Sequence, residues 1–144
     1  MNIDEIKIQV ELDVAIDANH LDDESIRIPQ IHNKYLCILM DEKIILEKIE
    51  SKYKKAKRDK WLYYSGKMSK EELKQRSWEP FDLAIIKQDV DRFVESDDDI
   101  IEISNKVHVQ REKIAYLESV IKIIANKIWN IRSTIEWIKF TQGS

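Results

Sequence analysis

Twelve positions near the C-terminus, 100, 103, 107, 110, 114, 117, 121, 124, 128, 131, 135 and 138, alternate steps of three and four without a break. Eleven of the twelve carry Ile, Val or Leu, and only Gln110 departs. An apolar residue every 3.5 positions, sustained this long, is a heptad seam: the mark of a helix that packs along one stripe. It predicts a helix over about 97–140, which at 1.5 Å per residue is about 66 Å long. A compact globule of 144 residues has a radius of gyration of about 14–15 Å and so a diameter near ~37 Å. Such a helix must protrude, pair with a second long helix, or cross into neighbouring subunits. Off the seam lie Val109, Val120, Ile123, Ala125, Trp129 and Trp137, so the apolar surface is wider than one partner helix needs. That points to a coiled-coil-like oligomer with Ile114, Leu117, Ile121, Ile124, Ile128, Ile131, Ile135 and Ile138 at the contact. The alternative is an extended monomeric hairpin, which leaves the second stripe wet.

The rest of the chain also reads as helix. It holds only two Gly and two Pro, too few for the turns of a sandwich, a barrel or a dinucleotide-binding fold. The expectation is an all-α protein with two long helices, about 28–64 and 97–140, plus short ones. Pro29 suits the first turn of the earlier long helix, where its missing N–H costs nothing. Ile28, Ile31, Tyr35, Ile38, Ile45, Ile49 and Ala56 continue the periodicity, and Gly66 is placed to end it in the left-handed conformation. A first short helix is expected from Asp4 to about Asp17, with residues 18–27 as loop. Ser69 and Glu72 form a capping-box pattern opening a helix to about Arg76, and Leu83, Ile86, Val90 and Phe93 favour another within 81–94. A single domain over 1–144 is expected, with 1–96 facing DNA and partners and 97–144 as the oligomerisation helix.

Several function classes find no support. His20, His32 and His108 lack helical spacing to one another and Cys37 is alone, so no metal site or cofactor is expected. There is no phosphate-binding loop, no dinucleotide glycine pattern and no nucleophile elbow, so the chain reads as a non-enzyme. No apolar run nears the ~20 residues that span a bilayer, and Met1–Val10 shows no secretory pattern. A lone cysteine between Leu36 and Ile38 fits a reducing cytoplasm and a buried apolar position.

Charge is segregated. Residues 1–25 hold eight acids against Lys7, and residues 89–102 hold seven acids against Arg92. Residues 48–60 hold seven bases (Lys48, Lys52, Lys54, Lys55, Lys57, Arg58 and Lys60) against Glu50 and Asp59. The acids Asp97, Asp98 and Asp99 suit a helix N-terminus, where the macrodipole favours them. The bases run directly into Trp61, Tyr63 and Tyr64. Cations beside rings are how single-stranded nucleic acid is held, with ammonium groups on the backbone and rings on exposed bases. Lys54, Lys55, Lys57, Arg58, Lys60, Trp61, Tyr63 and Tyr64 are therefore the candidate DNA-binding residues. The competing reading is that the bases complement the end of a helix while the aromatics, with Trp78, are core.

These residues bring a family into view. Asp13-Val14-Ala15-Ile16-Asp17, followed by Leu21 and Glu24, resembles the N-terminal D-V-x-I-D segment of the phage UvsY-type recombination mediators, small helical proteins of T4-like phages. The basic stretch ending Leu62-Tyr63-Tyr64-Ser65-Gly66 resembles the family's K-x-R-x-x-Y-Y-S-G region, and the likeness covers nearly the whole chain. It implies a protein that binds single-stranded DNA, weakens the hold of the phage single-strand-binding protein, and loads the RecA-like recombinase UvsX. The implied settings are phage recombination, repair and recombination-dependent replication in the cytoplasm of an infected bacterium. The implied assembly is a hexamer or heptamer through the C-terminal region. The family's paired basic DNA-binding residues fall on Arg58 and Lys60, in the order Arg-then-Lys where the family has Lys-then-Arg. The acidic blocks at 1–25 and 89–102 then face away from DNA, as docking surfaces for the recombinase or as solvated loop charge. A coiled-coil scaffold or phage structural adaptor without nucleic-acid binding is the alternative.

Overall fold

The structure, a computed structural model, describes residues 1–143. Five helices follow in order: α1 (Ile3–Val14), α2 (Leu21–Tyr64), α3 (Lys70–Gln75), α4 (Lys87–Glu95) and α5 (Asp98–Thr141). Among the described residues there is no strand, as the shortage of turn-forming residues requires. None of the described helices is long and apolar enough to cross a membrane.

Local chemistry sets most boundaries. Asn2 Oδ1 accepts from the Asp4 amide at 2.7 Å and Glu5 Oε2 from the Asn2 amide at 3.3 Å, a reciprocal box that starts α1. α1 ends at Val14, three residues before Asp17, because Asp17 orders the connection instead. Its carboxylate accepts from the Asn19 amide at 2.9 Å and contacts His20 Nδ1 at 2.7 Å. At the far end of α2, Gly66 takes φ +75°; its amide bonds to the Tyr63 carbonyl at 3.2 Å and the Lys67 amide to the Leu62 carbonyl at 3.0 Å. This is the paired closure expected of a glycine one residue past a helix. Ser69 Oγ caps α3 by accepting from the Glu72 amide at 3.2 Å.

Three expectations are corrected. α2 begins at Leu21, not near residue 28, so most of 18–27 is helix and Pro29 lies inside it. Asp22, Asp23 and Glu24 favour the earlier start by complementing the dipole, and Pro29 falls on an exposed face of the helix. Residues 81–86 are not helical, and α4 occupies only 87–95. Cys37 is exposed, because it falls between the inward positions Tyr35 and Leu39 of α2.

The chain forms two compact units, and the division does not follow the 96/97 line. The first joins Met1–Lys43 to the stretch from Arg111 onward: α1, the first half of α2 and the later part of α5. Its core contains Ile6, Val10, Ile31, Tyr35, Leu39, Ile114, Leu117, Val120, Ile124 and Ile131. Among the described residues of this unit, the buried charges Asp13, Glu42 and Lys127 each have partners. Lys127 pairs with Glu24 at 2.6 Å and donates to the Asp13 carbonyl at 3.0 Å. Asp13 Oδ2 accepts from Tyr35 Oη at 2.7 Å and from Lys34 Nζ at 2.5 Å. Glu42 holds Lys113 at 3.0 Å and the N-terminal ammonium at 3.6 Å. Glu24 meeting Lys127 while Glu42 meets Lys113 shows that α2 and α5 run antiparallel here. The second unit is Ile44–Gln110, built on Val90, Val94 and Ile100 with Tyr53, Ala56, Trp61, Tyr64 and Ile85 packed against them.

All twelve seam positions are buried or half-buried. Within the first unit, Ile114, Leu117, Ile124 and Ile131 are at most 8% exposed and Ile121, Ile128, Ile135 and Ile138 are half-buried. The expectation that these residues meet a second chain is changed for the first four, whose surface is already spent inside one copy. Of the off-seam residues Val120 is also core, but Val109, Ile123, Trp129 and Trp137 are 51–65% exposed.

Candidate nucleic-acid interface

The candidate site lies on the C-terminal half of α2, within the second unit. Ile49, Tyr53, Ala56, Lys60 and Tyr64 follow one another at steps of four, three, four and four, and form the inward stripe. Every other base in the stretch falls off that stripe. Lys48, Lys52, Lys54, Lys55, Lys57 and Arg58 are all exposed. Lys48, Lys52 and Lys55 share one open face with Ile44, Glu47 and Ser51. The Lys57 ammonium lies 5.4 Å from the Tyr53 ring centre, and Arg58 reaches Asp59 at 3.4 Å. Asp59 also binds Arg76 at 2.9 Å, so the acid that meets Arg58 is shared with a second guanidinium.

Lys60 differs from its neighbours. It is 8% exposed and its ammonium sits 3.2 Å from Asp97, 3.0 Å from Asp99 and 4.1 Å from the centre of the Trp78 ring. Asp97 is the cap of α5: Oδ1 accepts from the amides of Asp99 at 2.9 Å and Ile100 at 3.3 Å. Its other oxygen accepts from Tyr64 Oη at 2.6 Å. Burial alone would raise the Asp97 pKa, but the bonds from Tyr64, Lys60 and the Ile100 amide, with the Lys60 charge, overcome it and hold the carboxyl below 3.8. Burial and the adjacent Asp97 push the Tyr64 phenol above its usual range. The cluster closes α2 onto the start of α5, and Lys60 is its cation. Its inward position was visible in the spacing, since it stands four residues from both Ala56 and Tyr64. Its acidic partners lie too far along the chain for spacing to name them.

The aromatics divide. Tyr63 and Tyr64 meet edge-on at 5.1 Å, and Tyr64 meets Phe81 at 4.9 Å and Phe93 at 5.6 Å. Tyr63 Oη donates to the Glu79 carbonyl at 2.6 Å, and its ring meets Trp78 at 5.3 Å. Both tyrosines are thus engaged within the unit. Trp78 is half-buried, enclosed by Lys60 and by Arg76, whose guanidinium is 5.2 Å from the ring. Trp61 packs on the Val90, Val94 and Ile100 cluster while also lining an open cavity, with the Lys67 ammonium 4.9 Å from its ring. What emerges is an exposed cationic surface along α2 that leads into an aromatic cluster at the end of the helix, able to neutralise a polyanion without reading its sequence. Among the described residues no group of three or more His, Cys, Asp or Glu is arranged to hold a metal ion.

Solved structures share this fold. Three crystal structures of the bacteriophage T4 recombination mediator protein UvsY match at 17% identity. One gives a TM-score of 0.85 over 97% of this chain and 99% of that one. A second gives 0.79 over 100% and 99%, and a third 0.77 over 95% and 98%. A search of curated proteins finds no matching sequence. The profile of the family described as "Recombination, repair and ssDNA binding protein UvsY" matches residues 9–144. With that match spanning nearly every residue, the chain belongs to the UvsY family of recombination, repair and single-stranded-DNA-binding proteins.

Proposed function

We propose that the chain is a recombination mediator that binds single-stranded DNA across Lys48, Lys52, Lys54, Lys55, Lys57 and Arg58. It would weaken the hold of the phage single-strand-binding protein and load the recombinase UvsX in the cytoplasm of the infected host. The observation that carries this is the contrast within one helix: six bases are exposed to solvent, while Lys60 is buried between the carboxylates of Asp97 and Asp99. Arg58 keeps the DNA-contacting role implied by family resemblance. Lys60 acts through the cluster that fixes α2 against α5. Tyr63 and Tyr64 pack at the end of α2, against Trp78, Phe81 and Phe93.

Assembly as a hexamer or heptamer belongs to the same reading, with a changed surface. Trp129, Trp137 and Phe140 on α5 are 60–79% exposed, and the Trp137 and Phe140 rings stack at 5.9 Å. Exposed apolar groups of this size mark association surfaces. Half-buried Ile135 and Ile138 lie beside them in sequence and would complete the contact. In a ring the cationic surface is presented once per subunit, so weak contacts add through effective concentration.

The test is a strand-exchange assay on DNA already covered by single-strand-binding protein, with recombinase loading followed over time. The chain is expected to shorten the lag. An unchanged lag, with binding of oligo-dT intact, removes the loading role. Failure to bind oligo-dT at low salt would leave the scaffold reading.

A further inference from the structure

We propose that Trp61, Lys67 and Lys87 form a single-nucleotide subsite in which the indole stacks one base of single-stranded DNA and the two ammonium groups hold its phosphates. The subsite lies in an open cavity of about 240 Å³ within the second unit, lined by Trp61, Ser65, Lys67, Ile85, Lys87 and Val90. That volume is below the ~300–1,000 Å³ of pockets for drug-sized ligands, so it suits one ring rather than a larger molecule.

Two features of the chain build it. Trp61 is anchored on one side by the Val90, Val94 and Ile100 cluster, so its ring is held by packing. The turn at Gly66 then brings Lys67 back over the indole. The Lys67 amide is fixed to the Leu62 carbonyl at 3.0 Å, and its ammonium rests 4.9 Å from the ring centre. A cation over an indole marks an accessible, electron-rich face. The Lys67 stem is flexible and exposed, so the ammonium can leave the ring for a phosphate when a base arrives. Lys87, at the start of α4, supplies the second charge, and no carboxylate lines the cavity. An anionic, planar ligand matches that lining, and a nucleotide of single-stranded DNA is both. The other aromatics of the unit offer less, since Tyr63, Tyr64 and Trp78 pack on one another and the Lys60 over Trp78, unlike exposed Lys67, is buried and held by Asp97 and Asp99.

The inference rests on the DNA-binding reading above, and the two are separated by comparing oligo-dT with an abasic deoxyribose-phosphate strand of equal length. The wild-type chain is expected to prefer oligo-dT by about 5- to 150-fold, the range of one stacked base. Trp61→Leu should bring the ratio near one while keeping abasic affinity, and Trp61→Phe should retain part of the preference. Lys67→Ala/Lys87→Ala should weaken both strands and flatten the log–log salt slope by up to ~1.4. Photo-crosslinking of the wild type to 5-iododeoxyuridine DNA, which needs no variant, should map an adduct to Trp61. A wild-type ratio near one, a ratio unchanged in Trp61→Leu, or adducts only elsewhere would overturn the subsite alone. Absence of binding to either strand at low salt would overturn the DNA reading itself.

Discussion

The Lys60 ammonium lies 3.2 Å from the Asp97 carboxylate, and both side chains are at most 10% exposed. That contact separates one base from the six around it and assigns them different work. Asp97 caps α5 while Lys60 closes α2, so the pair joins two helix ends through one buried ion pair. The surrounding bases, free of that duty, remain on the surface.

Removing one partner of a buried pair leaves the other uncompensated. Lys60→Ala is expected to cost about 3 kcal/mol in urea denaturation. Lys55→Ala, at an exposed position, should change stability by no more than about 0.5 kcal/mol. Similar effects of the two substitutions would contradict the division of roles.

Acid should act through Asp97 and Asp13. Both carboxyls are held below 3.8 in the folded chain, Asp13 through Lys34 and Tyr35 against the opposing effect of burial. A depressed folded pKa adds stability that is present above 3.8 and lost as pH falls through the folded value. Tyr35 and Tyr64 shift upward, so their contribution holds below 10 and is lost as pH rises through the folded values. Between these limits stability should change little, with a shallow fall as pH rises past 6.5 and exposed His20, whose pKa is raised by its bond to Asp17, loses its proton. Asp97→Asn should flatten the acid limb and Tyr64→Phe the alkaline one; unchanged limbs would contradict the assignment.

Ser77 adopts φ +56° just after α3, where its amide bonds to Lys74 and the next amide, of Trp78, to Leu73. A residue with a Cβ is strained in this region, and glycine is not. Ser77→Gly is expected to raise stability by about 0.5 kcal/mol, read from the urea midpoint. A lower midpoint would show that the serine side chain contributes more than the strain costs.

For assembly, Trp137→Gln/Phe140→Gln should reduce native mass toward the monomer with the helical signal intact. Ile124→Ala, in contrast, should lower stability by about 2–5 kcal/mol, since Ile124 is wholly buried within one copy. An unchanged mass in the double variant would place the subunit contact elsewhere.

Local signals in the sequence were reliable where the chemistry was local. The α5 seam, the Ser69 cap and the Gly66 turn each depend on residues within a turn or two. Pro29 misled because a start signal was read where the helix had already begun, two turns being held upstream by Glu24 against Lys127, over a hundred residues away. The charge block at 48–60 was legible as a surface and the inward register of Lys60 in its spacing, but the acids that neutralise it were not. Asp97 and Asp99 come beside it when the chain folds. The seam announced burial correctly but could not say whether the partner was the same chain or another, because both satisfy the same stripe.

The account depends most on the exposed bases of α2 meeting single-stranded DNA. Affinity for oligo-dT measured across salt concentration, for the wild type and for Lys54→Ala/Lys55→Ala/Lys57→Ala/Arg58→Ala, tests it directly. The variant should stay folded, bind more weakly, and lose about 0.7 from the log–log slope for each phosphate contact removed. A folded variant with unchanged affinity and unchanged slope would contradict the account.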